Sequence, residues 1–382
     1  MDSIIKKAVK RVQADLPKQE ASKSGVKKSA RMDDQELEEL LKSSQAKIRV
    51  IGVGGSGCNT IQRMKEVGIL GAETIAINTD AQDLINTDSD KKILIGRELT
   101  RGLGAGSDPS VGEASAKENV DELMEVLDKT DLMFITCGMG GGTGTGAAPI
   151  VAELGKEMKA LTIGIVTLPF TVEGKKRMEN ALNGLSRLKE HADTVIVIPN
   201  DKILEIAPDL PVNAAFKVAD EVLTNAVKGI TEMVTKPGLI NLDFADLRTI
   251  LRRGGAAMIG LGESRAEEAG EARALEAVEN ALTSPLLDVD ISDAQRALVN
   301  VIGGSDMTLR EAELIVETVS SRIDPDAHII WGAMIDDTLP RNQIQAMVVI
   351  AGGRFPYLSD LEGVETVRKK TGGVDLGIEF AD

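Results

Sequence analysis

Residues 140–146 read Gly140-Gly141-Gly142-Thr143-Gly144-Thr145-Gly146, with five glycines and two threonines in seven positions. The apolar run Leu132-Met133-Phe134-Ile135-Thr136-Cys137 just before it has the makeup of a buried strand, and Ala147 to Met158 has that of a helix. A strand, a glycine-threonine loop and a helix start form a phosphate cradle. Glycine lets backbone N–H groups approach an anion, threonine adds hydroxyl donors, and the helix N-terminus adds the positive end of its dipole. The loop lacks the Lys-Ser/Thr ending of a Walker P-loop, which disfavours ordinary P-loop NTPases.

Outward from this loop, strands and helices alternate. Strands are expected at 48–51, 73–78, 91–95, 161–168 and 194–199, with helices at 59–67, 113–127 and 175–191. This pattern predicts an α/β fold with a doubly wound parallel sheet, whose ligands sit at the carboxyl ends of the strands. A long helix follows from Ala214 to Thr235, with Ala215, Val218, Val222, Ala226 and Ile230 as its apolar stripe, and Pro237-Gly238 ends it. Beyond it, strands at 256–261, 297–302, 329–334 and 345–350 and helices at 267–282 and 309–321 make a second, smaller α/β (α+β) domain. The division expected is a basic, mostly disordered arm at 1–32, a nucleotide-binding domain at 33–212 opened by a short acidic helix at 33–42, a connecting helix at 213–236, a C-terminal domain at 237–351 and a flexible tail at 352–382.

The chain has 382 residues, 42% of them apolar and only 2% aromatic, so its cores must be aliphatic. Cys58 and Cys137, each in an apolar or glycine-rich segment, suggest a reducing compartment without a disulfide framework. No apolar run approaches a membrane span and no signal-peptide core is present, so a cytoplasmic protein is expected. The net charge is −16, yet residues 1–32 hold nine Lys/Arg against three Asp/Glu. The body is therefore strongly acidic, which argues against nucleic acid as a partner. The arm's Ile4, Ile5, Ala8, Val9 and Val12 could form a short basic amphipathic stripe or simply a solvated leader.

Further segments carry chemistry. Gly52-Val53-Gly54-Gly55-Ser56-Gly57-Cys58-Asn59 follows the first strand and opens a helix, as a GxGxxG dinucleotide fingerprint does, and Asp80 ends the second strand where a ribose-binding acid would stand. A third glycine run, Arg101-Gly102-Leu103-Gly104-Ala105-Gly106, is either a flexible turn or part of the same site. Three such loops at one sheet edge suit a triphosphate wrapped by backbone. Glu173 and Arg177, four apart, share a helix face and form either a surface ion pair or a ribose and phosphate contact. Phe216 and Asp220 are spaced the same way: Phe216 either fills core or stacks on a purine, and Asp220 could accept from N1–H and the exocyclic amine of guanine. Adenine has an acceptor at N1, so a carboxylate there selects GTP over ATP. In Asn241-Leu242-Asp243-Phe244-Ala245-Asp246 the two aspartates could cap a helix or could position an attacking water. By the segment order they stand a long helix away from the phosphate loops, which suggests that another subunit completes the site.

Taken in order, GVGGSGCN, NTDAQ, RGLGAG, GGGTGTG, LPF with Glu173 and Arg177, PND, AF with AD, NLDFAD and SPLLDVDIS resemble the FtsZ family of prokaryotic tubulin-like GTPases. The likeness covers about residues 46–351, and the basic arm and short tail resemble archaeal members. The resemblance implies GTP/GDP held by Gly54, Gly55, Ser56, Gly57, Cys58, Asn59, Asn78, Gly104, Ala105, Gly106, the loop Gly140, Gly141, Gly142, Thr143, Gly144, Thr145 and Gly146, and by Glu173, Arg177, Asn200, Phe216 and Asp220. It implies Asn241, Asp243 and Asp246 as catalytic residues acting on the nucleotide of the next subunit in a head-to-tail filament. Mg2+ is expected on the phosphates, its protein ligands unassigned. The implied setting is the division ring at midcell, with Val374 to Phe380 either a docking peptide for a membrane-anchoring protein or a loose end. Two other readings are an FtsZ-like structural paralogue with weak hydrolysis and a dinucleotide-binding oxidoreductase.

Overall fold

The computed structural model of the chain describes residues 46–352 apart from 207, 208, 210, 237, 253, 265–269 and 288. The arm, the expected acidic helix at 33–42 and the peptide 374–380 lie outside the described residues. Six parallel strands come first: β1 (Ile48–Val53), β2 (Ala72–Asn78), β3 (Lys91–Leu94), β4 (Leu132–Gly138), β5 (Leu161–Leu168) and β6 (Thr194–Pro199). Their spatial order is β3-β2-β1-β4-β5-β6, so the chain reverses its winding between β1 and β4. The crevice at such a switch point is where doubly wound sheets bind ligands. Every residue of β5 and β6 is buried, as expected for strands covered on both faces.

Helices α1 (Gly54–Val67), α2 (Ala81–Asn86), α3 (Arg97–Thr100), α4 (Pro109–Glu118), α5 (Val120–Leu127), α6 (Thr143–Glu157), α7 (Lys175–His191) and α8 (Asn200–Ile206) connect these strands. Two differ from the sequence reading. The helix expected at 113–127 is two, because Asn119 interrupts it: its side-chain oxygen accepts from the Gly96 N–H (2.9 Å) and its amide donates to Glu122 (3.0 Å). Both glycine loops are themselves first helical turns, since α1 starts at Gly54 and α6 at Thr143.

The long helix α9 (Val212–Thr235) lies on the α1 face of the sheet, opposite α6 and α7. Its buried stripe is rotated slightly from the expected one: Ala219, Leu223, Ala226, Val227 and Ile230 are buried, whereas Val218 and Val222 are partly so. α9 begins beside Phe170, just past the end of β5, and finishes where the Thr235 hydroxyl donates to the Leu70 carbonyl, just before β2. It therefore runs from the C-terminal to the N-terminal edge of the parallel strands. At 1.5 Å per residue its 24 residues span about 36 Å.

The remainder comprises α10 (Phe244–Leu251), β7 (Gly255–Glu263), α11 (Glu271–Leu282), β8 (Arg296–Gly303), α12 (Leu309–Ser320), β9 (His328–Ile335) and β10 (Ile344–Ala351). β10 pairs antiparallel with β7 and β8, and β8 pairs parallel with β9, a mixed arrangement. Residues 194–196 of β6 pair with 255–257 of β7, so all ten strands form one sheet.

Candidate nucleotide site

β1 and β4 are neighbours, so α1 and α6 start side by side at the switch point. Neither helix has a side-chain N-cap. Their first N–H groups lack intrahelical partners and carry the positive ends of two dipoles, which suits an anion. The loops meet backbone to backbone. Gly54 has φ +73°, and a Cβ there would stand 2.8 Å from the Gly144 nitrogen. Gly140 has φ +102°, and its Cβ would meet the Arg177 carbonyl at 2.8 Å, whereas above Gly141 the space is open.

Other members of these motifs serve the protein. The Thr145 hydroxyl accepts from the Gly140 N–H (2.8 Å), and the Thr143 and Thr79 hydroxyls pair at 2.7 Å. A Cβ on Gly146 would fall 2.0 Å from the Pro109 carbonyl, so this glycine seats α4 against α6. Asn78 donates to the Cys58 thiol and to Asp83 and accepts from the Thr79 N–H, which shapes the turn after β2. Burial pushes the Cys58 thiol up to about 11. Gly55 and Asn59 are exposed and Ser56 half-buried on the open side. The third glycine run is held in place: the Ala81 N–H donates to Gly102 and the Gly104 N–H to Thr79, and Ala105 lies against Gly142. Gly106 has φ +59° and open space.

The dinucleotide reading required Asp80 for a ribose. Its carboxylate instead caps α2, accepting from the Gln82 (2.9 Å) and Asp83 (3.2 Å) N–H groups. Glu173 and Arg177 do pair, at 3.0 Å, and Glu173 also accepts from the Phe170 N–H, so the pair is locked beside Gly140. Asn200 opens α8 and is buried, with its side-chain oxygen unpartnered among the described residues. Phe216 is 40% exposed and meets Phe170 edge to face at 5.1 Å, leaving a ring face free. One turn on, burial pushes the Asp220 carboxyl up to about 7, eased only by the Thr60 hydroxyl. An orphaned acceptor on Asn200, a partly exposed ring on Phe216 and a desolvated carboxylate on Asp220 are groups of the kind that contact a purine nucleoside.

Asn241, Asp243 and Asp246 do not join this group. All three are exposed. Asn241 accepts from the Gly238 N–H, and Asp243 caps α10 by accepting from the Asp246 N–H at 2.7 Å. The Asp246 carboxylate has neither a hydrogen bond nor an ion pair among the described residues. α10 ends where the Thr194 hydroxyl, at the start of β6, donates to the Leu251 carbonyl. The motif therefore lies at the N-terminal edge of the sheet, with the length of α9 between it and the cradle. Sequence reasoning missed Gly112, which packs under the loop: a Cβ there would reach the Gly142 carbonyl at 2.4 Å. Its only signal was a glycine inside a helix.

Comparison with known proteins fits this geometry. Residues 47–208 match the family model for the Tubulin/FtsZ GTPase domain, and residues 255–354 match that for the FtsZ C-terminal domain. The fold and cradle are thus those of the tubulin-type GTPases. The chain is 60% identical over 324 residues to "Cell division protein FtsZ 1" of Thermococcus kodakarensis, covering 85% of each chain. It is 58% identical over 320 residues to the protein of that name from Methanocaldococcus jannaschii, covering 84% of this chain and 86% of the relative. The solved structure "FtsZ dimer, empty (M. jannaschii)" superposes with a TM-score of 0.79 at 59% identity, over 84% of this chain and 92% of the other. CetZ2 from Haloferax volcanii shares the fold at 23% identity, with a TM-score of 0.72 over 85% of this chain and 99% of the other. The chain belongs to the FtsZ family and is a GTPase.

Proposed function

We propose that this chain is a cytoskeletal cell-division protein that assembles head to tail and hydrolyses GTP at the junction between subunits. The observation that carries this reading is the span of α9, about 36 Å, between the uncapped helix starts and Asp243 and Asp246. No side chain bridges that distance, so carboxylates that act on the γ-phosphate must come from the next subunit. A heterologous contact of this kind propagates into an open filament. The names of the relatives support the division role, and the M. jannaschii protein has been solved as a dimer, which supports self-association. Steady-state GTP turnover per subunit should rise steeply above a threshold protein concentration. Constant specific activity down to high dilution would refute the shared site.

In this reading Asn241, Asp243 and Asp246 orient the attacking water, and the N–H groups of α1 and α6 hold the phosphates. Glu173, Arg177 and Asn200 take the ribose end, Phe216 packs on the base, and Asp220 accepts from guanine. Mg2+ would be held on the phosphates, its protein ligands unassigned. No group of three or more metal-binding side chains occurs among the described residues, and such a cation supplies charge neutralisation rather than a protein-built centre. We further propose residues 33–212 as the GTP-binding domain, 213–236 as the connecting helix and 237–351 as the domain that activates hydrolysis. The peptide 374–380 would bind a membrane-anchoring partner at midcell; no described helix is long and apolar enough to cross a membrane.

The Asp220 assignment predicts a pH effect of definite sign. Its carboxyl titrates near 7 without nucleotide, and only the ionised form accepts both guanine donors. GDP affinity should therefore rise by about tenfold from pH 6 to pH 8, because binding draws a proton off. Asp220→Asn should flatten that rise and reduce the preference for GTP over ATP by at least about tenfold. Parallel pH profiles in wild type and variant would remove Asp220 from base recognition.

A further inference from the structure

Six basic side chains surround one cavity of about 460 Å³ at the edge where the parallel strands begin. Lys156 and Lys159 reach it from the end of α6, Lys189 and His191 from the end of α7, and Arg248 and Arg252 from α10 and just past its end. Cations commonly gather at helix C-termini to offset the dipole. Here the five permanent cations exceed that need. They face two carboxylates, Glu190 and Asp193, and three helix ends of about half a negative charge each, which leaves roughly one to two positive charges over. Among the described residues none of the five forms an ion pair. Lys156 donates to the Glu190 backbone carbonyl (2.8 Å), and the Asp193 carboxylate is taken by the Thr162 N–H (3.1 Å). The Arg248 Nε is buried with no hydrogen-bond partner. All this occurs in a chain of net charge −16.

We propose that this cavity binds a small anion of two or more linked phosphoryl groups with no nucleobase. Guanidinium and ammonium groups converging on one space match the charge density of a polyphosphate, and arginine offers it paired donors. The lining has no Phe, Tyr or Trp on which a base could stack. An acidic peptide is the rival ligand, and residues 371–382 carry Asp375, Glu379 and Asp382 without a cation. An extended run from Asp375 to Asp382 spans about 23 Å, so its three carboxylates cannot all enter a cavity about 10 Å across, whereas linked phosphoryl groups concentrate their charge within such a space. Arg248 shares α10 with Asp246 and Arg252 stands just past its end, so an occupied cavity sets negative charge at the edge proposed to complete hydrolysis. That consequence rests on the reading above, whereas binding itself does not.

The test is titration calorimetry of the full chain with tripolyphosphate. GDP saturates the nucleotide cradle and a chelator removes divalent cations. One site per chain is expected, weakening as salt rises. Lys189→Gln combined with Arg252→Gln should weaken binding at least about tenfold. Lys65→Gln, which removes a cation already paired with Asp90, should leave binding unchanged. Should the double variant fail to fold, Lys159→Gln at the exposed rim carries the test, with the same direction expected. Absence of saturable binding, or undiminished binding in the cavity variants, would overturn the proposal. So would a synthetic peptide of residues 371–382 that binds the GDP-loaded chain when tripolyphosphate does not.

Discussion

Asp246→Ala is expected to bind GTP and to assemble as the unmodified chain does, while turnover falls by about 10²–10⁴-fold. The side chain is exposed and makes no contact that the fold requires, so its removal should alter stability by less than about 0.5 kcal/mol. Asp243 is a less clean target, because its carboxylate caps α10 and its loss adds about 1 kcal/mol of helix destabilisation to any catalytic effect. Nucleotide binding should survive in both, since the cradle lies at the far end of α9. Wild-type turnover in an assembled Asp246→Ala polymer would remove this carboxylate from the reaction.

Mixing decides whether the carboxylate acts across the junction. Gly54→Val forces a β-branched side chain into φ +73° with its Cβ 2.8 Å from the Gly144 nitrogen, so its cradle should lose GTP. Alone, each variant should turn over at least about 10²-fold more slowly than the unmodified chain. Together, an Asp246→Ala subunit holds GTP and a Gly54→Val neighbour supplies the missing carboxylate, so activity should return at their junctions. A mixture that co-assembles and stays inactive would contradict completion of the site by a neighbouring subunit.

The phosphate cradle was legible because it is local. Strand, glycines and helix start are contiguous in both Gly52–Asn59 and Leu132–Gly146, and their parallel pairing brings the two together. Asp220 and Phe216 were singled out by their four-residue spacing and the chemistry of guanine, and the structure sets Phe216 against Phe170 and desolvates Asp220, which supports their proposed role. Local reading was less able to assign work within a motif. Thr145, Asn78 and Gly146 stand among residues proposed to hold the nucleotide, but their bonds and contacts run into the protein. What each touches includes residues from 1 to more than 30 positions away. The three-residue pairing of β6 with β7 was illegible for the same reason: nothing within Thr194–Ile196 announces a partner some sixty residues on. Nor did charge patterning single out Arg273, which occupies an ordinary helical position and whose partners lie in another helix and the loop before it.

Arg273→Ala is expected to cost about 3–5 kcal/mol, the largest stability loss from any single charge in the described residues. Arg273 is fully buried in α11. Its Nε donates to Glu311 (2.6 Å), its Nη2 to the second Glu311 oxygen (3.0 Å), and its Nη1 to Asp306 (2.6 Å). Glu311 also accepts from the Thr308 (2.8 Å) and Gly270 (3.0 Å) N–H groups, so one carboxylate joins the starts of α11 and α12. Removing the cation strands a buried negative charge. The melting temperature should fall on the order of 10 °C. Burial opposes ionisation of Glu311, but Arg273 and the Thr308 and Gly270 donors prevail and hold its carboxyl at about 2 instead of the ordinary 4.5. Its contribution is therefore complete above pH 4.5 and is lost as the pH falls from there towards 2. In Arg273→Met the side-chain volume is kept and the cation is gone, so the melting temperature should decline less steeply across that acid range than in the unmodified chain. Thermal melts at several pH values read both effects. A loss below about 1 kcal/mol at neutral pH, or identical acid slopes, would mean that the buried cation does not hold the two helices together.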